Sequence, residues 1–312
     1  MSGIHHVTAI SGKALHNLKF YTHVMGLRFV KKTVNFDDPG TYHLYYGDRV
    51  GDPGTILTFF PWEHAAPGRA GVGQTLQTTF RIPAGSIGYW THRLVEKGVA
   101  HQAPKQRFGE RVLSFSDPDG MSLALVGAAG AQSEPAWDGE DIPAEHAIRG
   151  FHGVTLMVDD GARTMAVLRD VLGFKDAGQD GPLARLRASE AVGGVVDIHE
   201  AKGFLPGRQG RGSVHHIAFR AADDAVQAAM AQKLVAEHGL RPTHQLDRQY
   251  FRSVYFREPG GILFEIATDQ PGFAVDESVE TLGRALKLPP FLESRRKEIE
   301  AALPALDTTV SA

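Results

Sequence analysis

Short apolar, β-branched runs recur along this chain, and between them lie segments whose apolar positions follow a helical period. IHHVTAI at 4–10, FHGVTLM at 151–157, VHHIAFR at 214–220 and ILFEIAT at 262–268 read as strands. FYTHVMGLR at 20–28 and VLRDVLGFK at 167–175 each close an amphipathic helix on a glycine, Gly26 or Gly173, the residue favoured just past a helix C-terminus. A second pair of segments matches in the same way. RLVEKGVA at 93–100 answers KLVAEHGLR at 233–241, and FSDPDGMSLALV at 115–126 answers FREPGGILFEIA at 256–267. The Asp-Pro-Asp-Gly and Glu-Pro-Gly-Gly centres of the last pair predict tight turns between strands.

The chain is therefore an internal repeat of the order A-B-A-B, with units near 3–62, 74–128, 149–201 and 211–269, each reading strand, helix, then three strands. The small, polar, proline-containing segment 129–147 is the linker between domains expected at 1–128 and 149–269. A helical tail is expected over 270–312. There Pro289-Pro290 precedes FLESRRKEIEAAL, in which Phe291, Leu292, Ile299 and Leu303 form an apolar stripe. Packing on the body or on a second copy of the chain is the preferred reading of that tail, and a lid over a site is the alternative.

Composition narrows the chemistry. In 312 residues, 42% are hydrophobic and 22% charged, which suits a globular protein with a full core. A net charge of -3 gives no reason to expect nucleic acid or an anionic membrane as partner. The absence of cysteine excludes disulfides, thiolate catalysis and cysteine-ligated zinc. No secretory leader and no run long enough to span a bilayer is visible, so the expected location is cytoplasmic.

The candidate chemistry lies in two His-His pairs, His5-His6 and His215-His216, and in Glu265, all on predicted strands. A carboxylate in a buried strand is costly unless something pairs with it. Two imidazoles and a carboxylate around one cation would remove that cost, and they make the facial triad of non-haem Fe(II) oxygenases, with open coordination positions. The repeats act as an internal control. Unit two has Gln77 and Ala124 where unit four has His216 and Glu265. Unit three has His152 and Gly153 where unit one has His5 and His6. Unit one has Thr58 near the Glu265 position. Only units one and four together supply a triad, His6, His216 and Glu265, so these two units should share a sheet. Strand alternation points the other member of each pair elsewhere. His5 and His215 either face away or fold back beside the ligands, and His5 also admits a purely structural reading, as His152 suggests. Tyr255, across a turn from Glu265, has Ser114 as its counterpart and is not demanded by the fold. Arg248 has Arg107 as its counterpart, which suggests a loop-bracing ion pair. His43 is a weaker candidate, and His16, His23, His92 and His238 read as helix-surface residues.

The order of these motifs resembles the vicinal oxygen chelate superfamily, which includes glyoxalases and extradiol dioxygenases. Within it, IHHVTAI, NFDDPGTYHLYYGD at 35–48, VHHIAFR and LPPFLESRR at 288–296 are similar to ring-cleaving hydroquinone dioxygenases. The resemblance implies an α+β fold of four βαβββ units forming two curved half-barrel sheets. It also implies Fe(II), with Mn(II) as an alternative, held by His6, His216 and Glu265, and it selects His6 over His5. It places His5, Thr8, His215, Arg248 and Tyr255 around that centre. The expected substrates are a hydroquinone-like aromatic and O₂, with Tyr255 and His215 as proton-transfer candidates, an imidazole titrating in the right range with little tuning. The rivals are a glyoxalase-like isomerase or lyase, which would want a fourth ligand where Thr58 stands, and a non-catalytic aromatic-binding protein. A homo-oligomer is possible.

Overall fold

The computed structural model describes residues 2–137, 139 and 141–306. Residues 138 and 140 of the expected linker and 307–312 of the expected tail lie outside the described residues. Four successive units each run strand, helix, three strands. The first holds β1 (Ile4–Ser11), α1 (Ala14–Lys19), β2 (Arg28–Asn35), β3 (Asp38–Gly47) and β4 (Ile56–Pro61). The second holds β5 (Gln74–Pro83), α2 (Ile87–Glu96), β6 (Lys105–Arg107), β7 (Glu110–Ser116) and β8 (Ser122–Ala128). The third holds β9 (Phe151–Val158), α3 (Ala162–Asp170), β10 (Lys175–Asp180), β11 (Leu183–Arg187) and β12 (Val195–Glu200). The fourth holds β13 (Ser213–Ala221), α4 (Asp224–Ala236), β14 (Leu246–Asp247), β15 (Arg252–Arg257) and β16 (Leu263–Thr268). The helix α1 runs on into a π-type turn over Phe20–Val24, and Gly26 follows at φ +66°, the left-handed conformation that ends the element.

Two eight-stranded sheets result, ordered β14-β15-β16-β13-β1-β4-β3-β2 and β10-β11-β12-β9-β5-β8-β7-β6. Antiparallel pairing of β1 with β13 joins unit one to unit four, and pairing of β5 with β9 joins unit two to unit three. Each half-barrel thus takes one unit from each half of the chain, the pairing expected from the positions of the candidate ligands. The reason is visible in the strands themselves. β1 and β9 are buried at every position, so both edges and both faces need cover. Each has its own unit's last strand on one side, parallel, and the neighbouring unit's first strand on the other. The Pro-containing turns between β7 and β8 and between β15 and β16 form as read from sequence, capped by Asp117 and Glu258, which accept backbone N–H groups of Met121 and Ile262.

The segment after β16 wraps the outside of the first sheet. Buried Lys31 on β2 pairs with Asp276 and Glu277, each at 2.6 Å, and Lys287 N–H donates to the Lys32 carbonyl. Of the expected apolar stripe, Leu292, Ile299 and Leu303 enter the core, while Phe291 stays 65% exposed and meets Phe36 edge-on. Among the described residues of this segment only Arg296–Ala302 is α-helical, preceded by a 3₁₀ turn over Pro290–Arg295.

Candidate metal centre and cavity

Cross-strand register sets the three candidate ligands side by side. His216 lies opposite Thr8, and His6 lies opposite Ala218, whose other neighbour is Glu265. The methyl of Ala218 is small enough to leave the space between His6 and Glu265 open. His6 Nε2 stands 3.3 Å and His216 Nε2 3.0 Å from Glu265 Oε2, and the three ligand atoms lie within 4.8 Å of one another. Ligands held at about 2.1 Å from one ion at right angles would stand about 3.0 Å apart, so the separations of both imidazoles from the carboxylate are already close to those of neighbouring ligands. Ser253 donates to the other carboxylate oxygen, Oε1, which fixes the Glu265 head and leaves Oε2 turned to the imidazoles.

The outer histidines decide which nitrogen faces the centre. His5 Nδ1 lies 2.9 Å from His6 Nδ1, and His215 Nδ1 lies 2.9 Å from His216 Nδ1. If each inner histidine donates through Nδ1 to its outer neighbour, its Nε2 carries a lone pair. Three acceptors then converge, and Glu265 Oε2 is buried without a hydrogen-bond donor. A cation satisfies all three at once, so the residues fit a divalent metal. The electrostatics agree. Burial alone would raise the Glu265 carboxyl, but His6 and His216 outweigh it and hold it well below the usual carboxylate range. Burial lowers His216 against the pull of Glu265, which favours the neutral, ligating form.

The inward turn of both outer histidines has a specific cause that alternation did not predict. The β1–β13 ladder slips twice, between Ile4 and His6 and between Thr8 and Ala9, where Val214 rather than His215 is the next partner. His5 and His215 are the extra residues of two β-bulges, and a bulge re-aims its side chain. Neither histidine faces away. His5 also hydrogen-bonds the Thr268 backbone and lies against Phe251.

A cavity of about 350 Å³ opens at this point, lined by His6, His216, His215, Tyr255, Arg248 and His43 on its polar side. Phe36, Phe60, Trp62, Phe251 and Leu263 supply its apolar wall, with Phe60 and Trp62 stacked at 5.9 Å. No tail residue is among the described residues that line it. Tyr255 lies opposite Glu265 in the ladder, edge-on to His216 at 5.6 Å. Burial and then Glu265 raise its phenol, against hydrogen bonds with Ser253 and Arg248, so it keeps its proton. Arg248 sits 5.4 Å over the Tyr255 ring and pairs with Asp37 on the β2–β3 hairpin at 3.0 Å. The expected ion pair exists, and it spans the cavity mouth rather than bracing one loop. His215 does not titrate near neutrality as expected: burial, followed by His216 and Arg257, pushes it down to about 3. Thr8 is fully buried, with its hydroxyl on Thr58 at 2.8 Å. Ser253, Asp37 and the two bulges were not foreseen. Ser253 shares the face of Tyr255 by strand alternation, the one signal that would have found it.

Comparison with known proteins follows the same lines. The model of the Glyoxalase/Bleomycin resistance protein/Dioxygenase superfamily matches residues 3–125 and 150–266. MhqE of Bacillus subtilis, named a ring-cleaving dioxygenase, is 46% identical over 97% of this chain and 99% of its own length. The chlorohydroquinone/hydroquinone 1,2-dioxygenase of Sphingobium indicum is 36% identical over 96% of this chain and 95% of its own. A crystal structure of a Bacillus subtilis protein described as a dioxygenase superposes with a TM-score of 0.94, at 43% identity, covering 98% of this chain and 97% of that one. Glyoxalase I from Zea mays, at 17% identity and a TM-score of 0.64 over 86% of this chain and 93% of its own, shares the fold.

Proposed function

The chain belongs to the Glyoxalase/Bleomycin resistance protein/Dioxygenase superfamily, and from that premise we propose that it is an Fe(II)-dependent dioxygenase that cleaves the ring of hydroquinone-like aromatics. The observation that carries the reading is the convergence of His6 Nε2, His216 Nε2 and an orphaned Glu265 Oε2 at the end of an aromatic-walled cavity. Relatives with the corresponding names, 36% to 46% identical, support the reaction class.

When bound, the iron supplies electronic contact between an electron-rich ring and O₂, with positions left open for both. This chain's residues do the rest. His6, His216 and Glu265 would hold the ion, and the single carboxylate would offset part of its charge. His5 and His215 fix the tautomers of the ligating imidazoles through Nδ1. Phe36, Phe60, Trp62 and Phe251 hold a ring and exclude water. Tyr255 presents a protonated phenol, steadied by Arg248, and His215 presents its Nε2–H. Both donate hydrogen bonds to oxygen atoms of the bound substrates, and Tyr255 is the group that can pass its proton to one of them as the ring opens and regain one from the substrate hydroxyl. Thr58, where a glyoxalase-like isomerase would place a fourth ligand, is occupied by hydrogen bonds to Thr8 and His43, which favours the dioxygenase reading.

The test is anaerobic reconstitution with Fe²⁺ followed by oxygen uptake against a panel of hydroquinones and catechols. One O₂ per ring, no requirement for NAD(P)H or a 2-oxoacid, and both atoms of ¹⁸O₂ in an open-chain product are expected. Protein that holds iron yet takes up no O₂ across the panel, while isomerising a thiohemiacetal, would overturn the reading.

A further inference from the structure

Four side chains on the wall opposite Tyr255 form an unbranched hydrogen-bonded chain. Thr8 Oγ1 meets Thr58 Oγ1, Thr58 Oγ1 meets His43 Nε2, and His43 Nδ1 meets the Tyr45 hydroxyl, each at 2.8 Å. Strand register explains the row: Thr8 lies opposite Thr58, and Thr58 opposite Tyr45. Thr8 and Thr58 are 0% exposed, and His43 and Tyr45 line the cavity. Burial, then His216 and His6, hold His43 well below the ordinary histidine range, so its ring has one N–H and one lone pair.

Counting protons fixes the direction. The chain owns four (two threonine hydroxyls, one imidazole N–H and one phenol) and has three contacts to fill, so one hydroxyl, that of Thr8, Thr58 or Tyr45, keeps an unspent donor. Thr8 and Thr58 are both sealed from solvent and, among the described residues, have no hydrogen-bonding partner outside this row. If the spare proton stayed there it would be a buried donor without an acceptor, a cost that folded proteins avoid. Thr8 therefore donates to Thr58, Thr58 donates to His43 Nε2, and His43 Nδ1–H donates to the Tyr45 oxygen. The unspent O–H is that of Tyr45, at the cavity wall. The fold does not demand this row. In the other half-barrel the ladder puts Arg185 at the Tyr45 position, Asp197 at the Thr58 position and Leu183 at the His43 position.

We infer that Tyr45 is a substrate-anchoring residue whose hydroxyl donates to an oxygen of the bound dihydroxybenzene, and that His43 and Thr58 are positioning residues that aim it. This inference rests on the proposed function for the identity of the ligand, but the direction of the chain does not. It gives the cavity polar groups on two walls, Tyr255 with Arg248 on one and Tyr45 on the other, as a ring with two hydroxyls requires.

Two measurements test it. Long-range ¹H–¹⁵N spectra of the ligand-free protein, assigned with His43→Gln, should show His43 protonated on Nδ1. Thr58→Val should erode that preference and Thr58→Ser should restore it. A wild-type Nε2–H tautomer, or one indifferent to Thr58→Val, would overturn the chain. Anaerobic calorimetry with hydroquinone should show Tyr45→Phe binding about tenfold more weakly, the factor that one ordinary hydrogen bond confers, with metal content unchanged. Thr58→Val should show a smaller loss that Thr58→Ser rescues. Equal affinity in wild type and Tyr45→Phe removes the Tyr45 contact alone. Wild-type protein that binds no dihydroxybenzene removes the proposed function and the contact with it, while the tautomer still decides the chain.

Discussion

The two half-barrels share one ladder and treat its polar centre in opposite ways. In the first, three acceptor atoms of His6, His216 and Glu265 face one another. In the second, the same register positions hold Gly153, Gln77 and Ala124, and the chain supplies its own cation. Arg185 grips Asp197 with two hydrogen bonds, at 2.7 and 2.9 Å, and reaches Glu110 at 2.7 Å, with the Phe108 ring 3.9 Å from its guanidinium carbon. His152, the counterpart of His5, is bound to Glu110 at 3.2 Å. The second half could not simply regain a ligand at 153, because a Cβ there would stand 2.0 Å from the Val195 carbonyl. Inward-facing carboxylates must be neutralised wherever they are buried. An internal arginine does it from within the chain. A triad of acceptors supplies no cation of its own, the role proposed above for the iron.

Breaking the first half should have the largest effect. Glu265→Gln keeps the shape but removes the charge that offsets the cation, and it should abolish both iron binding and turnover while leaving the circular dichroism spectrum native. Wild-type metal content by elemental analysis would remove Glu265 as a ligand. Tyr255→Phe should retain iron and lose turnover by ~10²–10⁴-fold, the range for a single proton-transfer group. Its counterpart Ser114 predicts no loss of fold. Unchanged kcat would take Tyr255 out of the mechanism.

Breaking the second half should cost stability and spare the chemistry. Arg185→Ala strands Asp197 and Glu110 and should destabilise by ~3–5 kcal/mol in urea unfolding, with turnover per folded molecule unchanged. A variant as stable as wild type would show that the ion pairs contribute nothing. The smallest effect is on pH dependence. Burial would raise the Glu110 carboxyl, but hydrogen bonds from His152 and Arg185 outweigh it and hold it at about 2, below its ordinary 4.5. A carboxyl depressed in the folded state stabilises it above the unfolded value and loses that contribution as pH falls. Wild type should therefore lose stability between about pH 4.5 and 2 more steeply than Glu110→Gln. Parallel curves over that window would contradict the assignment.

Much of this contrast was legible beforehand because ligand type is local chemistry. Comparing Gln77 with His216, Ala124 with Glu265 and Gly153 with His6 singled out the three residues that units one and four bring together. The outer histidines were not legible in the same way. Period-two alternation sends neighbours to opposite faces, and the exception depends on two bulges in the β1–β13 ladder. The reach of Arg248 to Asp37 was also hidden, since the shared arginine at 107 suggested a local brace.

The sequence by itself determined the fourfold repeat, the residue types of the triad, the absence of thiol chemistry and the different residues at the matching positions of the second half. These follow from residue identity and spacing, which a chain carries before it folds. Tertiary structure alone decided which nitrogen of each histidine faces the centre, that Ser253 leaves only Oε2 of Glu265 free, and that Thr8, Thr58, His43 and Tyr45 form one directed chain. Each depends on register between strands far apart in the chain. A slip of one residue would turn every one of these side chains to the other face.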